Sequence, residues 1–343
     1  MSNILVTGGA GYIGSHTCIS LLEQGHSVLI ADNLCNSSVG AIDAIRSVTR
    51  SVDSNSLEFA QVELADPNAV SKLFDNHAIE AVVHFAGLKA VGESVEQPLA
   101  YYGNNLRSTL NLLEAMAAHE VYDFVFSSSA TVYGDPEELP ITEGAKTDPT
   151  NPYGRTKLMV EDICQDLAAS DHRWRIALLR YFNPVGAHPS GDLGENPSGI
   201  PNNLVPYVMQ VAVQRRDKLQ VFGDDWGTPD GTGVRDYIHV LDLAAGHLAA
   251  LDHLTEGAHV YNLGTGNGAS VLEVINTTQS VSGQPIPYDV VPRRAGDIAT
   301  SLADPTKANH TLDWRADRSL ETMLTDAWRW QSRHPMGFKE HTG

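Results

Sequence analysis

The sequence predicts an α/β fold: a doubly wound parallel sheet with helices on both faces, followed by a smaller mixed α/β unit. Three observations predict it. Short apolar runs alternate with longer helical patterns through the first half of the chain, and strands covered on both faces read as near-continuous apolar runs because neither face meets water. A glycine-rich turn, Thr7-Gly8-Gly9-Ala10-Gly11-Tyr12-Ile13-Gly14, follows the first of these runs and opens a helix pattern. Past residue 182 the alternation stops, and a stretch rich in Pro, Gly and Asn runs from Asn183 to Pro206.

Taken in order, strands are expected over 4–6, 28–31, 57–62, 81–85, 124–127 and 176–181, with helical patterns such as 16–23, 70–74 and 109–118 in the gaps. Repeated βαβ units of this kind place ligands at the carboxyl ends of the strands. A long irregular stretch inside a compact protein is usually functional or disordered. Beyond it, short helices and strands without regular alternation suggest a second unit closing over the first. A chain of 343 residues has room for two domains of about 100–200 residues each. The expected division is 1–182, which holds the sheet, and 183–343, with segments around 236–256 packing back on the first unit. The tail 339–343 is expected to fray.

The glycine turn gives the first unit its ligand class. Gly8, Gly11 and Gly14 follow a G-x-x-G-x-x-G spacing. The first allows a tight turn, the second lets backbone approach a pyrophosphate, and the third lets helix and strand pack closely, with the helix N-terminus facing the phosphates. This is a Rossmann-type dinucleotide signature. Asp32 ends the second strand at the spacing where a carboxylate accepts hydrogen bonds from the adenosine ribose, and there it repels the extra phosphate of NADP. NAD is therefore the expected cofactor.

A second constellation carries acid–base chemistry. In Asn151-Pro152-Tyr153-Gly154-Arg155-Thr156-Lys157, Asn151 suits a helix cap and Pro152 the first helical position. Tyr153 and Lys157 then share one face, which continues through Val160, Cys164 and Leu167 and so points inward. A free phenol titrates near 10; an adjacent ammonium and an oxidised nicotinamide are both expected to favour the phenolate, making Tyr153 a base. The cluster Ser127-Ser128-Ser129-Ala130-Thr131 at the end of the fifth strand offers a hydroxyl, at Ser129, to share the proton.

Composition narrows the partners. The hydrophobic fraction is 42% and the charged fraction 19%, as in ordinary globular proteins, and the formal net charge is −19 with a pI near 5.0. Such a surface repels phosphate backbones and anionic lipid heads, so neither nucleic acid nor membrane is an expected partner. The three cysteines, Cys18, Cys35 and Cys164, lack metal-ligand spacing and read as reduced thiols. A cytoplasmic protein without a metal site is expected. His84, His239 and His334 read as hydrogen-bonded structural groups.

These residues together resemble the extended short-chain dehydrogenase/reductase family and, within it, the UDP-glucose 4-epimerase family. His84-Phe85-Ala86-Gly87-Leu88-Lys89-Ala90-Val91-Gly92-Glu93-Ser94 and the stretches 127–134, 179–189, 199–204 and 231–239 carry the resemblance, which runs on to Trp330-Gln331-Ser332-Arg333-His334-Pro335. It implies NAD contacts at Tyr12, Ile13, Asp32, Asn33, Leu34, Cys35, Asn36, Ser37, Glu63, Leu64, Phe85, Ala86, Gly87, Lys89, Asn104, Ser129, Tyr153, Lys157 and Phe182. It implies a grip on a UDP-sugar by Lys89, Ser129, Tyr153, Asn183, Asn203, Leu204, Gln220, Val221, Phe222, Arg235, Arg294, Asp297 and Ser301. A homodimer with tightly held NAD is implied as well.

Read from the residues alone, Arg235 and Arg294 could instead pair with Asp236 and Asp297 on the surface. An acidic protein that binds a diphosphate nevertheless needs cations, and guanidinium suits phosphate. Two positions depart from the family pattern: Glu63 replaces an aspartate beside the adenine, and Ser301 stands where some members carry tyrosine. The implied reaction removes a hydride from sugar C4, turns the ketone, and returns the hydride to its other face. Three rival functions are a nucleotide-sugar 4,6-dehydratase, a net dehydrogenase and a non-catalytic NAD-sensing protein. The first typically has Thr-Asp-Glu where this chain has Ser129-Ala130-Thr131, and the last usually lacks the Tyr/Lys pair.

Overall fold

A computed structural model describes residues 1–294 and 296–338; the tail expected to fray, 339–343, lies outside the described residues. The first half alternates as the apolar runs require. It comprises β1 (Asn3–Thr7), α1 (Tyr12–Glu23), β2 (Ser27–Asp32), α2 (Val39–Val48), β3 (Leu57–Gln61), α3 (Pro67–Asn76), β4 (Ala81–His84), α4 (Val91–Glu96), α5 (Pro98–Ala118), β5 (Asp123–Ser127), α6 (Pro152–Ser170) and β6 (Arg175–Tyr181). Then follow β7 (Asn183–Val185), α7 (Leu204–Ala212), β8 (Leu219–Phe222), β9 (Val234–His239), α8 (Val240–Asp252), β10 (Gly257–Leu263) and β11 (Gly268–Ser270). The chain closes with α9 (Val271–Ser282), β12 (Tyr288–Val291), β13 (Thr300–Ser301), α10 (Thr306–Thr311) and α11 (Leu320–Arg333).

The main sheet has seven parallel strands in the order β10-β6-β5-β4-β1-β2-β3. Side chains alternate across it, as a period of two demands. Ile4, Val6, Val83, Val125 and Leu179 share one core with Ile19, Ile45 and Leu243 from the helices of that face. Leu5, Val82, Phe124, Phe126 and Leu178 share the other with Leu73, Leu112 and Val160. Chain order runs outward from β1 in one direction and from β4 in the other, so the ends of β1 and β4 flank the switch point where an open α/β sheet leaves a crevice.

The seventh strand, β10, lies beyond the boundary expected at residue 182, and α8 just before it contributes Leu243 and Leu248 to the first core. The segment expected to pack back therefore extends to Leu263. As an edge strand, Gly257–Leu263 is only half buried along its first four residues, so it lacks the continuous apolar run that marks the inner strands.

The remaining elements form smaller sheets with helices of their own. β9 pairs with β11, β13 and β7, while β12 pairs with β8. α7, α9 and α11 pack around Val205, Met209, Val274, Met323 and Leu324.

Candidate active site

The crevice is lined by the turn after β1, the ends of β2 and β3, the loop after β4, and side chains of α5, α6 and β6. At its start, Gly8 has φ +68 and a Cβ there would meet Ala86 N at 2.7 Å; a Cβ on Gly14 would fall 2.4 Å from Gly8 O. Glycine is therefore required for the turn to reach the β4 loop and for α1 to dock on it. α1 begins at Gly11 without a side-chain cap and without an acidic residue in its first turn. Its leading amides, beside Tyr12 and Ile13 in the crevice wall, are left for an anion.

Asp32, at the end of β2, is 8% exposed. Its carboxylate accepts from Ala10 N at 3.1 Å, Leu34 N at 2.9 Å and the Ser37 hydroxyl at 2.8 Å. A carboxylate offers about four acceptor sites, so one stays open toward the crevice. Glu63 accepts from Asn33 Nδ2 at 2.8 Å and Ala65 N at 3.0 Å, and it lines the same end. An uncapped helix N-terminus and a fixed carboxylate at the next strand end fit the pyrophosphate and ribose of a dinucleotide. Asp32→Ala is expected to raise the affinity ratio of NADP to NAD by about tenfold or more, roughly 1.4 kcal/mol. Titration of cofactor-stripped protein with both dinucleotides measures it, and an unchanged ratio would move the selectivity to another residue.

Of the residues expected at the cofactor, Leu34, Ser129 and Phe182 do not line the crevice. Leu34 adopts φ 62 and acts through its backbone in shaping the loop. Phe182 is turned into a separate core with Val132, Tyr133, Ile141 and Ala303, because beyond Tyr181 the chain leaves the sheet. Sequence reasoning also missed residues that take part. Ser108 and Tyr181 line the crevice. Asn105 accepts from Leu88 N at 2.8 Å and donates to Leu88 O and the Thr156 hydroxyl, each at 3.0 Å. It therefore holds the loop that carries Gly87 and Lys89 against α6. Asn105 and Ser108 are buried polar residues within the α5 pattern, and polar residues on that inward face are the signal that points to them.

At the inner end of the crevice stand Tyr153, 7% exposed, and Lys157, 6% exposed. The Asn151 side chain caps α6 by accepting from Gly154 N at 2.9 Å, which fixes where the first turn begins. Burial pushes the Tyr153 phenol up, with Tyr181 and Tyr101 adding to the rise and a hydrogen bond with Ser129 opposing it. Burial pushes Lys157 down to about 8. Its ammonium donates to Ser127 O at 2.8 Å and lies 4.7 Å from the centroid of the Phe126 ring and 6.0 Å from that of Tyr153. The expected lowering of the phenol by an adjacent ammonium is thus outweighed in the protein alone. Desolvation acts on the whole phenolate charge, whereas Lys157 points at the strand end instead of the phenol oxygen.

Of the residues expected at the UDP-sugar, Lys89 and Tyr153 line the crevice, and those from Asn183 onward do not. Arg235 and Ser301 are register partners on β9 and β13, and Asn183 pairs with Tyr237 of β9. Arg294 stacks its guanidinium 4.2 Å from the centroid of the Phe222 ring. Asn203 and Leu204 start α7. On β8 the alternation separates the residues: Gln220 is exposed, but Val221 is 1% exposed and belongs to the core behind the strand, so only its backbone is available. Asp297 donates its backbone N–H to Arg294 O at 3.2 Å.

Among the described residues neither arginine forms an ion pair with its neighbouring aspartate. Asp236 is fully buried and accepts from Thr265 N and Oγ1, Gly266 N and Ala303 N. Sequence reasoning also missed Glu195, a carboxylate pushed up by burial, which lies 3.8 Å from Lys89 and accepts from Asn203 Nδ2 at 3.4 Å. It joins the β4 loop to the start of α7. Of the histidines read as structural, His84 lies between Thr7 and Thr109, and His239 meets Asp326.

The chain matches the family described as GDP-mannose 4,6 dehydratase over residues 5–327. It is 57% identical over 338 residues to the UDP-glucose 4-epimerase of Bacillus subtilis (strain 168), covering 98% of each chain. Among solved structures it is similar to UDP-glucose 4-epimerase from Bifidobacterium longum in complex with NAD+ and UDP, with 52% identity, a TM-score of 0.94 and 98% and 100% of the two chains covered. It is also similar to the UDP-Glc/GlcNAc 4-epimerase from Campylobacter jejuni, with 38% identity, a TM-score of 0.84 and 97% and 100% covered.

Proposed function

We infer the function from one premise: the chain belongs to the UDP-glucose 4-epimerase family of extended short-chain dehydrogenase/reductases. It is an NAD-dependent isomerase that interconverts UDP-glucose and UDP-galactose. We extend the substrate range to UDP-GlcNAc and UDP-GalNAc, a reading supported by the small Ser301 in register with Arg235 and by the similarity to a UDP-Glc/GlcNAc 4-epimerase. The observation that supports the site assignment is that Tyr153 and Lys157 both line a dinucleotide crevice, with Ser129 acting on the Tyr153 phenol from outside its lining.

In the mechanism we assign, the Tyr153 phenol oxygen takes the proton of the sugar 4-hydroxyl, and Ser129 holds that proton in line through its hydrogen bond to Tyr153. NAD, held by the glycine turn, Asp32 and the loop after β4, would supply the acceptor and donor of the C4 hydride and a positive ring that favours the phenolate. Lys157, anchored on Ser127 O, keeps a positive charge beneath the phenol. Arg235 and Arg294, with no carboxylate partner among the described residues, hold the diphosphate while the 4-keto sugar turns between the two faces. This division leaves the nucleotide fixed and the sugar free to rotate.

A dehydratase needs an acid–base pair to eliminate water, and Ala130 and Thr131 supply no carboxylate beside Ser129. The dehydratase reading is therefore set aside despite the description of the matching family. We also propose a homodimer and a cytoplasmic location. Leu99, 85% exposed, and Val95, Leu110 and Met159 give α4, α5 and α6 an apolar outer face, which supports the homodimer; the free thiols Cys18, Cys35 and Cys164 fit a reducing compartment. Among the described residues no helix is long and apolar enough to cross a membrane.

The test is to incubate purified protein with UDP-galactose without added NAD and to identify the product by chromatography. UDP-glucose is expected, with NAD released on denaturation at close to one per chain. NADH accumulating in proportion to substrate would replace the epimerase by a dehydrogenase, and a 4-keto-6-deoxy product would restore the dehydratase.

A further inference from the structure

Three successive serines at the end of β5 are tied to three successive turns of α6. Ser129 acts on the Tyr153 phenol, opposing its rise on burial, the Ser127 carbonyl accepts from Lys157 at 2.8 Å, and the Ser128 hydroxyl donates to Glu161. Tyr153, Lys157 and Glu161 stand four residues apart on one helix face. Glu161 is 0% exposed. Its carboxylate takes Arg180 Nε on both oxygens, at 3.0 and 3.1 Å, and Nη2 as well. Arg180 in turn donates Nη1 to Glu143 O at 3.3 Å and lies 4.8 Å from the centroid of the Tyr133 ring. Burying an ion pair costs desolvation that its attraction often fails to recover, so stability is a poor reason for placing one here.

We propose that Glu161 is a positioning residue for the epimerisation, acting through Ser128 and Lys157 to hold the end of β5 and the buried ammonium in register with Tyr153. The proposal rests on the reading of Tyr153 as the base. The groups shown to act on Lys157 are Tyr153 and Glu161 from α6, His84 from β4, and the Ser127 carbonyl and Phe126 ring of β5, with Arg180 of β6 behind Glu161. Burial pushes His84 down to about 3, so it is neutral in the working range. Glu161 is the one carboxylate in this set, and its charge opposes the desolvation that lowers Lys157.

The test is the pH dependence of UDP-galactose turnover by the holoenzyme. Removing the negative charge in Glu161→Gln lets Lys157 lose its proton at lower pH. The alkaline fall of kcat is expected to move about one unit toward acid, with KM nearly unchanged. Ser128→Ala keeps both charges and cuts the tether, so kcat is expected to fall about tenfold or more with the alkaline limb in place. A merely structural role would lower Tm and leave the limb where it was. The proposal is overturned if the Glu161→Gln profile superposes on wild type. If that variant does not fold, it is overturned by a Ser128→Ala enzyme whose kcat lies within twofold of wild type. A wild-type protein inert on UDP-hexoses would instead overturn the functional reading itself.

Discussion

Tyr153→Phe is expected to lower kcat by about 10²–10⁴-fold while the fold and the bound cofactor persist. The substitution removes one oxygen and keeps the ring, which is 7% exposed and packed at the base of the crevice. The lost hydroxyl takes with it the atom on which Ser129 acts, the only atom of this side chain able to accept the proton of the sugar 4-hydroxyl. Lys157 remains anchored on Ser127 O, so the local electrostatics survive. The variant thus separates proton transfer from binding: KM and NAD content should stay near wild type while turnover collapses. Steady-state rates on UDP-galactose, with the NAD released on denaturation as control, measure it. Turnover within twofold of wild type would remove Tyr153 from the mechanism.

Ser301→Tyr is expected to suppress the reaction on N-acetylated sugars selectively. Ser301 pairs in register with Arg235, so it borders the place assigned to the diphosphate and the sugar beyond it. During epimerisation the sugar turns, and its 2-substituent sweeps through different parts of the pocket. A hydroxyl passes easily; an N-acetyl group needs a void. Filling that void with a phenol ring overpacks the turned state, at a typical cost of about 1–3 kcal/mol, or roughly 5- to 150-fold in rate. Turnover of UDP-GlcNAc should therefore fall by that factor while UDP-galactose turnover changes little. Parallel assays of both substrates on wild type and variant measure it. A wild type inert on UDP-GlcNAc, or a variant that handles both sugars as before, would refute the role given to Ser301.

The sequence by itself determined the features whose causes are local. The turn from Thr7 to Gly14 is legible because glycine is needed within a few residues of itself, and Gly8 and Gly14 do meet sterically. The pairing of Tyr153 with Lys157 on α6 follows from helical spacing and from a cap and a proline that fix the first turn. The five strands β1, β2, β4, β5 and β6 are legible because burial on both faces makes each a short apolar run; β3, at the edge of the sheet, is only partly buried.

Tertiary structure alone decided whatever depends on partners distant in the chain. β10 joins the sheet beside β6, yet an edge strand, half solvated, carries too weak a pattern to announce itself. Asp236 turns inward to four donors from residues 265, 266 and 303 instead of pairing with Arg235, since those donors arrive only when β9, β13 and the turn after β10 assemble. Asn105 and Glu161 gain their roles from Leu88 and Ser128, 17 and 33 positions away, and Glu195 from Lys89, still farther along the chain. Spacing along a chain reports a side chain's face, but its desolvation and its hydrogen-bond partners exist only after packing. That is why the raised Tyr153 phenol and the lowered Lys157 ammonium belong to the folded protein and not to the motif.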